Sequence, residues 1–286
     1  MSNLFPRPWL AAALLASPSL AWAFPPAPHY SLFGMVRDQV GQTVAAEGAE
    51  LILLKGGQEI GRAPITSNQL DQSYELNLRI DQNRSGTTFY SDKAVAAQGL
   101  FSLVVSMNGS LFYPIEVAGT LQAGKGGERV RLDLTLGEDA DKDGLPDVWE
   151  QWQLYQAGIY PDENGRWDLS LIDKQGDFDK DGQNNLLEYI AGTFAGDASE
   201  KFGLEIKEKQ ESAVRFAFFG ITGKVYTMES SADLQTWARV PFAVGAVPAT
   251  AGTPATVYQA TGVGILSASA APGLASANTF YRLTVR

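Results

Sequence analysis

The chain has 286 residues, with 22 Lys and Arg against 32 Asp and Glu, a net charge of −10, and no cysteine. The missing cysteine excludes disulfides, thiolate metal sites, cysteine nucleophiles and a lipidated N-terminal cysteine, and the absence of a basic cluster argues against nucleic-acid binding. The length suffices for two or three units with cores of their own.

Residues 1–23 read as a secretory signal. Arg7 precedes an apolar run from Trp9 to Ala16, and Ala21-Trp22-Ala23 offers a small-residue cleavage site. The mature protein is therefore expected outside the cytoplasm, secreted to the extracellular space or the periplasm. No later stretch is long and apolar enough to span a bilayer. Phe24-Pro25-Pro26-Ala27-Pro28-His29 is an extended, Pro-rich lead. His29, the sole histidine, falls in this lead and reads as an ordinary residue of a flexible arm, which leaves no credible Ser-His-Asp set. No carboxylate pair outside the acidic loops described below is marked out by its context, and the chain is not expected to be an enzyme.

Residues 24–136 carry strand signals. Ser31 to Arg37 is a short run ending at Asp38-Gln39-Val40-Gly41, and Glu50 to Leu54 meets Gln58 to Ile60 across Gly56-Gly57, a hairpin signal. Tyr74 to Ile80 alternates strictly, as a half-buried strand does. Leu103 to Met107 and Ser110 to Tyr113 flank Asn108-Gly109, and Val130 to Leu136 alternates again. About seven strands in this span predict a β-sandwich. Gly34 to Gly41, followed by Gly48-Ala49-Glu50-Leu51, resembles the opening of carboxypeptidase-regulatory-like domains, which implies a structural or adhesive module.

Two stretches of twelve residues stand apart. Asp139-Ala140-Asp141-Lys142-Asp143-Gly144-Leu145-Pro146-Asp147-Val148-Trp149-Glu150 is followed, 38 positions on, by Asp177-Phe178-Asp179-Lys180-Asp181-Gly182-Gln183-Asn184-Asn185-Leu186-Leu187-Glu188. Each has Asp at positions 1, 3 and 5, Gly at 6, Asp or Asn at 9 and Glu at 12. Alternate side chains of a tightly wound loop point inward, so the three Asp offer oxygens to one centre. Gly permits the turn, position 7 (Leu145, Gln183) supplies a carbonyl, position 9 (Asp147, Asn185) often acts through water, and the Glu closes the sphere with two oxygens. Hard oxygen donors without His or Cys point to calcium, two ions in all, and away from zinc or copper. Nine of the acidic residues lie in these loops, and two bound calcium ions would offset four of the ten units of net negative charge.

This pattern resembles thrombospondin type 3 repeats and the loop-and-exiting-helix units of dockerins, relatives of the EF-hand loop. The resemblance covers about fifty residues and implies calcium binding. Position 8, which in paired EF-hands bridges to the partner loop, is here Pro146 or Asn184, and Pro has no amide hydrogen to give. The strand-like Val130 to Leu136 also leaves the first loop without an incoming helix. A static, calcium-ordered unit is expected in place of an opening switch.

After the first loop, Asp147 to Ala157 reads as a helix with Val148, Trp152 and Tyr155 on one face, ended by Gly158. Trp149 and Trp152 could stack on a sugar, but at this spacing they are expected in a core. A second helix spans Asn185 to Ala191, and Leu186, Leu187 and Ile190 are expected to pack on the first. Residues 137–198 thus form one loop–helix module. In residues 199–286 strands are predicted at Leu204 to Lys207, Val214 to Phe219, Val225 to Ser230 and Phe280 to Val285. Much of Ala243 to Thr256 and Thr261 to Asn278, rich in Ala, Gly, Ser and Pro, reads as loop. Tyr226 to Trp237 with the terminal Phe-Tyr-Arg-Leu is similar to small β modules that follow calcium repeats in secreted bacterial proteins.

The expectation is a mainly β chain: an N-terminal β-sandwich and a small C-terminal β domain joined by a two-helix calcium-loop module. A structural or adhesive role follows, with calcium making the joint rigid. The alternative is an accessory module of an extracellular hydrolase system that binds a glycan or a protein partner.

Overall fold

The computed structural model describes residues 27–286 except 45, 68, 82–90, 118, 211–212, 246–252 and 272–278. The expected signal at residues 1–23 lies outside the described residues. The protein is mainly β, with two α-helices among the described residues.

The N-terminal region has two main sheets. In one, Tyr30–Gly34 lies between Tyr74–Asp81, antiparallel, and Arg129–Arg131, parallel, with Ala94–Ala96 at the far edge. The other is ordered Gln58–Pro64, Glu50–Lys55, Leu100–Met107, Ser110–Phe112. The period of two in Tyr74–Asp81 turns Tyr74, Leu76, Leu78 and Ile80 inward. These residues share one core with Leu51, Leu53, Leu103 and Val105 of the facing sheet. Both hairpin turns are left-handed at both central residues, with φ of 57° and 82° at Gly56-Gly57 and 52° and 79° at Asn108-Gly109. This is the twist that two-residue hairpins require.

The strand expected from Val130 to Leu136 is two strands. Arg129–Arg131 pairs with Tyr30–Gly34, and Leu134–Thr135 pairs, again parallel, with Val36–Arg37. The partners step together between the pairings. The Met35 N–H donates to Asp133 Oδ1 at 3.0 Å, and a side chain at Gly34 would collide with the Leu132 carbonyl. Such breaks divide the N-terminal region into eleven short strands among the described residues, where about seven were expected.

In the C-terminal region a first sheet is ordered Glu205–Lys209, Val214–Gly220, Gly264–Ala270, Phe242–Gly245. A second centres on Val225–Ser231, paired with Phe280–Val285, Ala238–Arg239 and Tyr258–Gln259. The loop reading of Thr261 to Asn278 is therefore wrong over Gly264–Ala270, an inner strand paired on both sides. Its Gly, Ser and Ala have low strand propensity, but two flanking ladders override it. The loop reading of Ala243 to Thr256 also gives way at its first three residues, which belong to the strand Phe242–Gly245; residues 246–252 and 272–278 lie outside the described residues. Phe216, Phe218, Tyr226, Met228 and Phe242 fill the core between the sheets. A third, smaller core lies between the two helices, around Leu145, Trp149, Leu154, Ile172 and Tyr189. No helix among the described residues is long and apolar enough to cross a membrane.

Candidate metal centre

The two acidic loops share their closing hydrogen bonds. The position-9 N–H closes each loop onto the carbonyl just before it, Asp147 onto Glu138 and Asn185 onto Gly176, both at 2.9 Å. The Gly at position 6 donates to the first Asp, Gly144 to Asp139 Oδ2 at 3.1 Å and Gly182 to Asp177 Oδ2 at 2.9 Å. Position 7 donates to the third Asp at 2.7 Å, Leu145 to Asp143 and Gln183 to Asp181. Gly144 and Gly182 take φ of 95° and 96°, a conformation closed to other residues. Lys142 and Lys180, at position 4, both take φ of 64°. The sequence reading assigned nothing to these lysines, although a residue between two inward-facing Asp in so tight a turn must bend the chain this way.

Asp143 accepts N–H groups on both oxygens, from Leu145 and Lys174, and so does Asp177, from Asp181 and Gly182, yet oxygens of the three Asp in each loop still converge. Ligand atoms of Asp139, Asp141 and Asp143 lie within 4.8 Å of one another, and so do those of Asp177, Asp179 and Asp181. Both groups can hold a metal ion. Glu150 and Glu188 are fully buried, and neither oxygen of either has a hydrogen-bond partner among the described residues. Asp139 Oδ1 and Asp179 Oδ2 are buried and unpartnered in the same way. Unpaired buried carboxylates are costly. Burial, followed by repulsion from Asp141, Asp143, Asp147 and Asp139, pushes Glu150 up to about 9. Burial and the Asp179, Asp181 and Asp177 carboxylates push Glu188 up to about 8. Asp141, Asp143 and Asp179 are also raised, mainly by burial. Residues with these orphaned oxygens fit a cation at the centre of each loop.

Position 9 is occupied differently from the rest of the ligand set. Asp147 Oδ1 accepts the Ala140 N–H at 2.8 Å and Asn185 Oδ1 accepts the Phe178 N–H at 3.1 Å, so both brace position 2. The Asn185 amide also donates to the Asp173 carbonyl at 2.6 Å. Both of its polar atoms thus take part in hydrogen bonds of the loop itself. At position 7, the Leu145 side chain is core, while the Gln183 side chain pairs in both directions with the Phe202 backbone. Only the main chain of these two residues is suited to an ion. Position 8 is the N-cap of each exiting helix: Pro146 precedes α1 (Asp147–Gln156), and Asn184 caps α2 (Asn185–Ala191) by accepting the Leu187 N–H.

The face of α1 that enters the core differs from the expected one. Trp149, Glu150, Gln153 and Leu154 are buried, while Val148, Trp152 and Tyr155 are exposed. Glu150 must turn into the loop, and its helical neighbours at i+3 and i+4 go with it. Trp149 is thus a core residue, edge-on to Tyr189 at 5.4 Å, and Trp152 lies outside. On α2, Leu186 and Ile190 meet the inter-helix core as expected, but Leu187 packs on the C-terminal β core. Sequence reasoning also missed Lys201, whose ammonium lies 3.6 Å from Asp181 Oδ2. Comparison with family models, with curated proteins and with solved structures returned no match.

Proposed function

We propose that the protein is a secreted, calcium-binding structural or adhesive protein in which two ions make the segment between its β domains rigid. The domains are taken as residues 24–136, 137–198 and 199–286. The observation that carries this reading is the pair of buried, unpartnered glutamates at the twelfth position of two loops with matching geometry. An all-oxygen set closed by a carboxylate able to bind through two oxygens suits calcium, which takes six to eight ligands, better than magnesium, which demands a tight octahedron. Asp139, Asp141, Asp143, the Leu145 carbonyl and Glu150 would hold one ion. Asp177, Asp179, Asp181, the Gln183 carbonyl and Glu188 would hold the other. Asp147 and Asn185 act through the loop backbone. Calcium would neutralise repulsion that the metal-free loops relieve by keeping Glu150 and Glu188 protonated, so binding energy becomes folding energy for this segment. The resemblance to thrombospondin type 3 repeats agrees with a static role. Limited proteolysis of the mature chain tests the reading. Chelator should expose cleavage sites mainly between Leu136 and Ala198 and leave two resistant fragments. An unchanged pattern would refute it.

A second reading, glycan binding, is favoured by one surface. Trp152, Tyr155 and Tyr160 are 49%, 51% and 66% exposed. Trp152 and Tyr155 lie near-parallel at 21°, with ring centroids 6.1 Å apart, and Tyr160 meets Tyr155 edge-on at 5.7 Å. Large exposed aromatics are typical of binding surfaces. A glycan array with the Trp152→Ala variant as control tests it, and no binding to any glycan would remove this reading.

A further inference from the structure

The seven residues of α2 serve three regions of the molecule at once. Glu188 closes the second acidic loop. Tyr189, the next residue, donates its hydroxyl to the Asp38 carbonyl of the N-terminal region at 3.0 Å. Ala191, Leu187 and Ile190 enter the C-terminal β core. Beyond the helix, Gly192 is its left-handed C-cap, and a side chain there would meet Ile221 of the C-terminal region at 2.9 Å.

The contacts close a ring. Lys224, on the turn after Ile221, is 2% exposed. Its ammonium donates to the Gly41 carbonyl at 2.8 Å and more weakly to the Tyr189 carbonyl at 3.5 Å. Gly41 stands at φ of 78°, and a Cβ on it would lie 3.0 Å from the Tyr189 carbonyl oxygen and 3.2 Å from Lys224 Nζ. The Asp38–Gly41 turn is itself fixed, because Asp38 Oδ1 accepts the N–H groups of Val40 and Gln42. Both β regions therefore meet at the last turn of one short helix, and away from it the Arg286–Asp71 ion pair at 2.7 Å also joins them. A helix of seven residues has little stability of its own and depends on what holds its ends.

From this juxtaposition we infer that α2 is a calcium-gated hub: an ion in the second loop, bound through Glu188, holds the two β regions docked to each other through Tyr189, Gly192 and Lys224. The inference rests on the calcium reading above and adds a direction to it. The second loop governs domain docking ahead of the first, because Glu188 shares α2 with Tyr189, whereas Glu150 lies on α1 and reaches Tyr189 only by way of the neighbouring Trp149 ring.

The cysteine-free chain permits clean labelling. Spin labels at Ser110→Cys and Glu205→Cys, exposed positions on the two β regions, report their separation by pulsed electron resonance. Calorimetry on the same samples counts bound calcium. In calcium one narrow distance distribution is expected. Chelator should broaden it at least twofold, and Glu188→Gln should do so in calcium, while Glu150→Gln leaves it narrow. Gly41→Ala, which places a methyl wedge in the contact, and Tyr189→Phe, which keeps the ring but removes the bond to Asp38, should each broaden it with two ions still bound. A distribution that stays narrow in chelator, although calorimetry shows two ions bound in calcium, would overturn the gating and leave the calcium reading standing. Equal broadening by Glu150→Gln and Glu188→Gln, or none with either contact variant, would also overturn it. No calcium uptake would overturn both.

Discussion

If Glu150 and Glu188 are the closing ligands, calcium must displace protons to bind, and the amount can be worked out. Glu150 is held up to about 9 and Glu188 to about 8 when no cation balances the loops. At pH 6 both carboxyls are almost wholly protonated, so two ions should release about two protons per chain. Below each value the apparent affinity should fall about tenfold per pH unit. At pH 7 the first loop should therefore bind about 100-fold, and the second about 10-fold, more weakly than its alkaline limit. The sign for stability follows. Both groups are raised above their unfolded value, so their contribution to the metal-free protein is full below about pH 4.5 and is lost as pH climbs through 8 and 9. The metal-free loops should be loosest at alkaline pH, where calcium stabilises most. Calorimetric titrations at pH 6 in two buffers of different ionisation enthalpy measure the protons directly. Release of fewer than half a proton, or an affinity that does not change between pH 6 and 8, would show that these glutamates are not the groups the ion meets.

Other expectations separate ligands from scaffold. Glu150→Gln and Glu188→Gln should each weaken their own site on the order of 10- to 100-fold in a calcium titration while sparing the metal-free fold. Asn185→Ala should do the reverse, costing about 1–3 kcal/mol of stability in urea unfolding because Phe178 N–H and the Asp173 carbonyl lose a buried partner. Gly182→Ala has open space around it but a φ of 96°, so it should cost about 1–2 kcal/mol through backbone strain alone, read as a lowered Tm in saturating calcium. Removing the cation beside Asp181 with Lys201→Met should tighten the second site a few-fold, on the order of 1 kcal/mol or less at this exposed position. Burial, with Arg37 acting in the same direction and Asp38 against it, lowers Lys224 to about 7. Since the unfolded chain keeps that proton up to about 10.5, stability in saturating calcium should rise as pH climbs from 7 towards 10, by about 5 kcal/mol at the upper bound. Urea unfolding between pH 6 and 9 measures the slope, which Lys224→Met should flatten.

The acidic loops were legible because their chemistry is local. Each ligand type recurs at a fixed offset, and the structure folds both offsets the same way. The hairpins at Gly56-Gly57 and Asn108-Gly109 were legible for the same reason, since a left-handed turn admits few residues. The buried face of α1 was not. Val148, Trp152 and Tyr155 make an apolar row at helical spacing, but the demand that Glu150 enter its loop outweighs the burial of that row. Gly264–Ala270 was hidden because small residues carry little strand signal, and its two partners lie some fifty residues upstream and about twenty upstream. The hub on α2 lay beyond any local pattern, because the Tyr189–Asp38 and Lys224–Gly41 bonds join residues 151 and 183 positions apart. The capping bond of Asn184 and the bracing bond of Asn185 were not legible, because nothing in the sequence marks Leu187 or Phe178 as their partners.

The central claim is that each loop binds one calcium ion, and a single titration tests it most directly. The mature chain, stripped of metal and titrated with calcium at pH 8 by calorimetry, should take up about two ions with the affinity of extracellular modules, on the order of 10⁻⁴ to 10⁻³ M or tighter. Excess magnesium should not compete. A stoichiometry near zero, or magnesium filling the same two sites equally well, would contradict the account.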